Sequence, residues 1–482
     1  MKTVQIILTA AVPILIFSLL TAIISPEYVT ALFVALLFLI LLIFRKIKPV
    51  WIASFVFIIA PFYDILRATY LKNVRFIGVW QEMFVLVLFF AFLVNLRRRD
   101  FKFPRLGLID LLVVVYVVWN FAQVFQSPSI GAGLYVWRWY SLGPLLYFLF
   151  RFFPLDHDEE WDLYRATCIG LVAAAVYAFY QYFIMGPENA AQFVSSLGFT
   201  AFYRIGWRLP GPFSSPLVAS ACFSILLLFG LVLLLKEKKF IWGLLLFGVG
   251  ALAIFITLSR SGIAIAMFGI FAILVLSFSR IKRKIPVFLL GIAIIVFLLF
   301  QFPKIFPQSL QFVNFAFSTD LNQYDIGRFG TFKDIVADAF TKYPLGFGFG
   351  GGGAISQTAF ALFGGDSSQL MPADRLGGDS VFFATLQSSG FFGFIIIVSV
   401  FCGFAWYSLR VLQQPRQESN RGGNLFLAGF FIGMLLTLAN LTDVWPIKLY
   451  VWTFGAMTVN HAFHHTPFQL SWPGRKQTNP HE

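Results

Sequence analysis

Long runs of apolar residues fill most of the chain, and short polar turns separate them. A helix needs roughly 20 apolar residues to cross the ~30 Å hydrocarbon core of a membrane. Runs of this kind recur along the chain as far as residue 463, which is more than any soluble core requires. The pattern predicts an all-α integral membrane protein with about 14 transmembrane helices (12–14). The predicted segments are 3–25, 28–44, 49–66, 76–95, 107–125, 134–150, 163–184, 213–235, 240–258, 261–279, 285–302, 380–409, 425–441 and 446–463.

These segments divide the chain into four parts. Residues 1–302 carry the first eleven predicted helices, 303–379 form one long loop, 380–463 carry the last three helices and 464–482 form a tail. Loops of such length are usually functional or disordered. We expect this loop to contain a helix over 328–340. We also expect segment 380–409 to begin as a helix outside the bilayer and to enter it near Gly390.

Composition agrees with a membrane protein. The chain is 59% hydrophobic and 12% charged, whereas a soluble domain is about a quarter charged. Its net charge of +14 would favour nucleic-acid binding in a soluble protein. In a membrane protein, the positive charge bears on the orientation of the chain instead. We therefore expect the chain to be surrounded by membrane lipids and to have no nucleic acid as a partner.

Most of the 36 lysines and arginines fall in turns at one face of the predicted bundle. The positive-inside rule predicts that this face is cytoplasmic. Both termini then lie in the cytoplasm, which agrees with an even number of spans. The basic turns hold Arg45, Lys46, Lys48, Arg97, Arg98, Arg99, Lys102, Arg105, Arg151, Arg165, Lys236, Lys238, Lys239, Arg280, Lys282, Arg283, Lys284, Arg410, Arg416 and Arg421.

Arginines at the opposite face are the first candidates for chemistry. Arginine within a membrane is costly and usually faces a polar cavity or a partner, and its planar fork suits phosphate oxygens. Any one of them can instead reach lipid phosphates. Arg260 is the exception, because it lies between two apolar segments with only small residues around it, which favours a buried role. The six are Arg138, Arg204, Arg208, Arg260, Arg328 and Arg375.

Other polar residues have simpler interpretations. We expect Arg67 and Arg75 to pair with Asp64 and Glu82, and the histidines to be solvated or interfacial. Asp379 precedes a predicted helix, so it is either a helix cap or an acceptor for a proton. The glycine run 346–353 lacks the lysine and the serine or threonine of a phosphate loop. It predicts a flexible lid or a close approach of backbone to a ligand.

Four stretches resemble the O-antigen ligase and O-antigen polymerase family of membrane glycosyltransferases. They are Arg208-Leu-Pro-Gly-Pro-Phe213, Thr257-Leu-Ser-Arg-Ser-Gly262, Gly327-Arg328 with Pro344-Leu-Gly-Phe-Gly348, and Asp379-Ser380 with Gly390-Phe-Phe-Gly393. Their order matches the family's pattern, and they cover about 200–410 of the chain. The first half of the chain is similar to the family only in hydropathy.

The resemblance implies a helical bundle of the GT-C type whose large periplasmic loop covers the active site. It implies inverting transfer of a glycan from undecaprenyl pyrophosphate to a hydroxyl, with no metal and no cofactor. The acceptor is a glycan, a lipid or a protein. By motif, Arg208, Arg260 and Arg328 hold the pyrophosphate, and Arg204 and Arg375, in the same outer loops, are also expected to bind it. Asp379 and Arg328 are the expected catalytic residues.

Two alternatives remain open at this point. Ligases of the family carry a histidine where this chain has Asp379, which favours a polymerase of lipid-linked repeat units over a ligase. A transporter or flippase without covalent chemistry is the alternative of another class. Secondary transporters usually show two related halves, and the sequence shows no such halves.

Overall fold

The computed structural model describes residues 48–70, 80–96, 104–127, 129–197, 202–203, 207–237, 239–277, 335–348, 381–413, 421–437 and 445–463. These residues form α-helices and one pair of two-residue antiparallel strands, β1 (Phe202–Tyr203) and β2 (Trp207–Arg208). The helices are α1 (Pro49–Ile59), α2 (Tyr63–Tyr70), α3 (Trp80–Leu96), α4 (Leu108–Ala122), α5 (Ile130–Phe152), α6 (His157–Phe179), α7 (Pro187–Ser196), α8 (Pro216–Leu235), α9 (Phe240–Ile256), α10 (Arg260–Ser277), α11 (Val381–Leu412), α12 (Arg421–Thr437) and α13 (Ile447–Phe463). A further helical stretch covers 335–341.

Many of these helices have the length and composition of membrane spans. Among the described residues, five helices are long and apolar enough to cross a membrane, and three shorter apolar helices accompany them. Lipid offers no hydrogen bonds to a backbone, so an apolar run satisfies its own amides by forming a helix. The prediction of a helical membrane protein is confirmed at this level. The five long helices are Pro49–Leu66, Leu108–Gln126, His157–Met185, Pro216–Leu235 and Val381–Leu412.

Every predicted segment that falls on described residues coincides with a helix. The segments 3–25, 28–44 and 285–302, the tail 464–482 and most of the loop 303–379 lie outside the described residues. The expected helix over 328–340 is seen from residue 335 onward and ends before Pro344. Segment 380–409 corresponds to α11, in which two helices adjoin at a kink at Gly390, where φ is 65° and ψ is −167°.

Two boundaries differ from prediction for local reasons. Helix α6 begins at His157, six residues before the apolar run, because Asp156 and Glu159 form a capping box. The backbone N–H of Glu159 donates to Asp156 (2.9 Å) and that of Asp156 donates to Glu159 (3.1 Å), which stabilises a charged first turn. The segment 185–212, expected to be a loop, contains α7 and the two strands.

The bundle has two chemically different ends. The basic end holds Lys48, Arg105, Arg151, Arg165, Lys236, Lys239, Arg410 and Arg421. Contacts between helix termini join it together: Lys236 Nζ donates to the Ser277 carbonyl (3.1 Å), and Arg151 donates to Asn460 (2.7 Å). The opposite end, called the motif end below, holds residues 208–213, 257–262, 344–348 and 381–393.

Small residues let the central helices approach closely. Helix α8 is buried along most of its length, and Gly230 lies against the backbone of α9 at Phe247. Helices α10 and α12 meet in the same way, since a Cβ on Gly433 would lie 2.6 Å from the Ile265 carbonyl. Such contacts are typical of membrane helices, where packing replaces hydrophobic association.

At the basic end, an ion pair is buried between α4 and α5. Arg151 Nε lies 3.1 Å from Asp110 Oδ1, and both side chains are 2% exposed. Tyr147 donates to Asp110 (2.7 Å), as does the Gly107 backbone (2.7 Å). Arg151 also donates to Asn460 on α13. The charges of the pair are therefore matched by hydrogen bonds from three helices, as burial of charge requires.

His461 corrects the expectation that the histidines are solvated or interfacial. It is buried, with Nε2 2.6 Å from Glu160 Oε1 on α6 and Nδ1 2.6 Å from Asn424 Oδ1 on α12. Its neighbour Asn460 serves the Arg151 pair. The last turn of α13 thus joins α5, α6 and α12 at the basic end.

Candidate functional site

The first two family-like stretches meet at the motif end, beside the start of α8. Leu209 and Ile256, the last residue of α9, belong to one buried cluster with Ala190 and Ala191 of α7. Gly211 is held by a hydrogen bond from Gln181 Nε2 to its carbonyl (3.2 Å). The backbone N–H of Ser214 donates to Asp64 Oδ2 (2.8 Å). The chain around partly buried Arg208 is therefore fixed from several sides.

Arg260 is the first residue of α10 and follows a tight turn. Leu258 adopts a left-handed conformation with φ 46°, and Ser259 is fully buried. Gly262 packs on α8, where a Cβ would lie 2.5 Å from Ser220 Oγ. The turn and the Arg208 stretch thus pack around the same part of α8. Helix N-termini carry partial positive charge, so the start of α10 favours an anion.

The third and fourth family-like stretches meet through their backbones. Phe347 N–H donates to the Gln387 carbonyl (2.9 Å) and Gly348 N–H donates to the Ser388 carbonyl (3.1 Å). Phe391 N–H returns a bond to the Pro344 carbonyl (3.1 Å). The segment 344–348 therefore lies on the break in α11 as a short clasp held by backbone hydrogen bonds.

The glycines of this clasp are required by its geometry. Gly346, Gly348 and Gly390 have φ of 98°, 84° and 65°, a region that is unfavourable for other residues. A Cβ on Gly348 would lie 2.8 Å from the Gln126 carbonyl oxygen. The glycine run was expected to allow a close backbone approach to a ligand. In the described residues, the close approach is to the chain itself.

The break at Gly390 folds α11 back on itself. A Cβ on Gly393 would lie 3.4 Å from Thr385 Cγ2. On a straight helix, eight residues span about 12 Å. The first part of α11, residues 381–389, is therefore a separate short helix that turns sharply into the long one. Ile335 and Ala339 of the 335–341 helix pack against Leu386 on this short helix.

Polar contacts attach the short helix to α4. Trp119 Nε1 donates to the Ser389 carbonyl (2.9 Å), and Ser389 Oγ donates to Asn120 Oδ1 (2.7 Å). Asn120 and Ser389 are buried. Sequence reasoning missed these residues. The available signal was the spacing of Asn120, Gln123 and Gln126, polar positions three apart at the end of an apolar segment.

A second charged group lies at the same end, between α3, α5 and α13. Arg138 Nε is 3.0 Å from Glu82 Oε1. The Lys448 ammonium donates to the Trp139 carbonyl (2.8 Å) and lies 4.2 Å from the centre of that indole ring. Glu82 was expected to pair with an arginine of this face, and among the described residues it pairs with Arg138; the expected partners Arg67, at its side chain, and Arg75 lie outside what the structure describes. Arg138 is thus engaged by the protein's own carboxylate.

The described residues contain two of the predicted site residues. Arg208 and the backbone of Arg260 lie at the motif end, around the start of α8. Arg204, Arg328, Arg375 and Asp379 lie outside the described residues. Within the described ranges, no group of three or more His, Cys, Asp or Glu side chains could hold a metal ion.

Comparison with known proteins gives no family assignment. No protein-family model matches the chain, and no curated protein matches it.

Proposed function

We propose that the chain is an inner-membrane glycosyltransferase that polymerises glycans carried on undecaprenyl pyrophosphate. The observation that carries the proposal is that the described parts of the four family-like stretches lie in two pairs at one end of the bundle. Phe213 and Gly262 pack on α8, and segment 344–348 bonds to residues 387–391. These stretches are far apart in sequence, so a single active site at the motif end explains why they lie at the same end of the bundle.

The proposal includes an orientation. About 14 helices of a GT-C-like bundle cross the membrane, both termini lie in the cytoplasm, and the motif end faces the periplasm. The support is the charge distribution, since the described residues at the opposite end include Arg105, Arg165, Lys236 and Lys239. The donor's isoprenoid tail then lies in lipid, with its pyrophosphate at the depth of the arginines.

The proposed chemistry is an inverting displacement. The acceptor hydroxyl oxygen attacks the anomeric carbon of the donor glycan, on the side opposite the pyrophosphate. The bond from that carbon to the pyrophosphate oxygen breaks, and its electron pair leaves with polyprenyl pyrophosphate. Arg208, Arg260 and Arg328 stabilise the departing charge, with Arg204 and Arg375 nearby in the sequence, and the Asp379 carboxylate takes the hydroxyl proton.

Two other functions are distinguished by experiment. A ligase of the same family would move a finished glycan onto a lipid or protein acceptor; Asp379 in place of histidine favours the polymerase. A flippase or transporter is suggested by one observation, the break in α11 at Gly390, because broken helices often line transporter sites. The clasp and the arginines favour chemistry over transport.

The test is transfer by purified protein in detergent with an undecaprenyl-pyrophosphate oligosaccharide as sole substrate. A polymerase yields a ladder of longer lipid-linked chains, and Arg260→Ala abolishes the ladder. Arg165→Ala is the matched control, because Arg165 is exposed at the basic end in an ion pair with Asp162; its ladder remains. Transfer only after a lipid or peptide acceptor is added indicates a ligase. No transfer with any acceptor rejects the enzymatic proposal.

A further inference from the structure

A row of polar side chains runs along α4 and its 3₁₀ extension, Gln123–Gln126, toward the motif end. Residues three apart share a helix face, and in a 3₁₀ helix they eclipse. Asn120 at one end of the row accepts from Ser389, and Gln126 at the other contacts Gly348. Gly348 is itself bonded to Ser388. Gln123 stands between Asn120 and Gln126 in this row, on the helix face that these two contacts mark.

Gln123 is one of two buried glutamines, with Gln81, whose amide oxygen and nitrogen both lack a hydrogen-bond partner within the described ranges. Its side chain is 1% exposed, and within the described ranges neither its amide oxygen nor its amide nitrogen has a hydrogen-bond partner. The hydroxyl of Thr385, on the short helix of α11, is also buried without a partner in these ranges. Nearly all buried polar groups in proteins are paired. Two unpaired groups in one place point to a ligand that pairs them.

Thr385 and the row belong to the same small region. Thr385 Cγ2 and Trp119 Cδ1 each lie 3.4 Å from the Cβ position of Gly393. The Trp119 ring packs edge-on against Phe392, with 4.7 Å between ring centres. The region thus combines a buried amide, a hydroxyl and an indole.

The chemistry of these groups indicates a neutral, hydroxyl-rich ligand. Amides and hydroxyls both donate and accept hydrogen bonds, as sugar hydroxyls do. Aromatic rings offer an apolar face beside such polar groups. A phosphate would be better matched by arginine, and the row Asn120, Gln123 and Gln126 carries no charge.

We propose that Gln123 and Thr385 form a sugar-binding subsite beneath the clasp, distinct from the arginines that hold pyrophosphate. The identification of this sugar as part of the transferred glycan rests on the proposed function. Sugar binding itself does not. Because Gln123 is buried, the ligand enters when segment 344–348 separates from α11, which requires three backbone hydrogen bonds to open, those donated by Phe347, Gly348 and Phe391.

The test measures stability and binding in full-length variants. Gln123→Leu and Thr385→Val replace unpaired polar groups by apolar groups of similar shape, which is neutral or stabilising in the free protein. The matched control is Gln181→Leu, because Gln181 is a buried glutamine whose amide donates to Gly211; its melting temperature falls. Binding is followed by tryptophan fluorescence with two probes, a panel of hexose and N-acetylhexosamine oligosaccharides and inorganic pyrophosphate.

The expected result is that the variants change the affinities for the two probes independently. Gln123→Leu and Thr385→Val each weaken saccharide binding about tenfold and leave pyrophosphate binding unchanged, whereas Arg208→Ala does the reverse. Unchanged saccharide affinity in Gln123→Leu, a lowered melting temperature in both subsite variants, or no saccharide binding by the wild type overturns the subsite. Saccharide binding by a wild-type protein that transfers no glycan supports the subsite and rejects the proposed function.

Discussion

Gly346 and Gly390 lie against each other's backbone. A Cβ on Gly346 would lie 2.6 Å from the Gly390 nitrogen, and one on Gly390 would lie 2.5 Å from the Gly346 nitrogen. The two glycines come from different family-like stretches. Their contact joins the end of the long loop to the break in α11, so the shape of the motif end depends on it.

Gly346→Ala is expected to open this junction. A left-handed conformation costs a non-glycine residue about 1–2 kcal/mol, and the contact with Gly390 leaves no room for the methyl group. We expect a lower melting temperature and loss of glycan transfer. Gly248→Ala is the matched control, because a Cβ there meets nothing within 4 Å and alanine favours a helix. Equal behaviour of the two variants would contradict the role of the clasp.

Asp110→Asn is expected to destabilise the basic end strongly. The variant leaves Arg151 charged and buried without its carboxylate, which costs about 3–5 kcal/mol. Asp162→Asn is the control, since the pair of Asp162 with Arg165 is exposed and such pairs contribute at most about 1 kcal/mol. The melting temperatures of the two variants in the same detergent give the comparison. A similar small effect in both would show that the buried pair contributes little.

Asp379→Asn and Asp379→Ala separate a proton acceptor from a helix cap. Asparagine caps a helix about as well as aspartate but does not take the proton. As a base, Asp379 contributes about 10²–10⁴ in rate, so both variants lose the ladder by that factor. Transfer by the asparagine variant together with loss in the alanine variant would assign capping alone. Melting temperatures of both variants report the capping contribution separately.

The proposed orientation predicts which cysteines react from outside the cell. Thr341, exposed at the motif end, and Arg165, exposed at the basic end, are replaced by cysteine one at a time in a background without Cys168, Cys222 and Cys402. An impermeant thiol reagent applied to cells or spheroplasts labels Thr341→Cys and spares Arg165→Cys. The opposite pattern would reverse the orientation.

Helix boundaries show where local sequence information ends. The apolar run of α6 begins at residue 163, yet the helix begins at His157, because a capping box stabilises charged residues that hydropathy excludes. The same box is visible in the sequence as Asp156 and Glu159. The sequence predicted that segment 380–409 enters the bilayer near Gly390, and the structure adds a break of the backbone at that residue, where glycine allows a positive φ. The direction in which α11 then folds depends on its contacts with segment 344–348.

The partners of the buried polar side chains Glu82 and His461 could not be predicted from their spacing in the sequence. Glu82 pairs with Arg138 on α5, and His461 contacts Glu160 and Asn424 from two other helices. Each pairing requires knowledge of which helices are neighbours. An apolar run does not reveal which helices are neighbours, because apolar residues are found both where a helix faces lipid and where it faces other helices.

The sequence by itself determined that the chain is a bundle of apolar helices with basic turns at one end, because hydropathy and charge are properties of each segment alone. It also marked Arg208, Arg260 and the glycines near 346 and 390 as unusual. Only the tertiary structure decided that Gly346 meets Gly390, that Arg138 is engaged by Glu82 and that Gln123 is buried unpaired. Those facts arise from packing between distant segments, where the position of every helix fixes the contacts of the others.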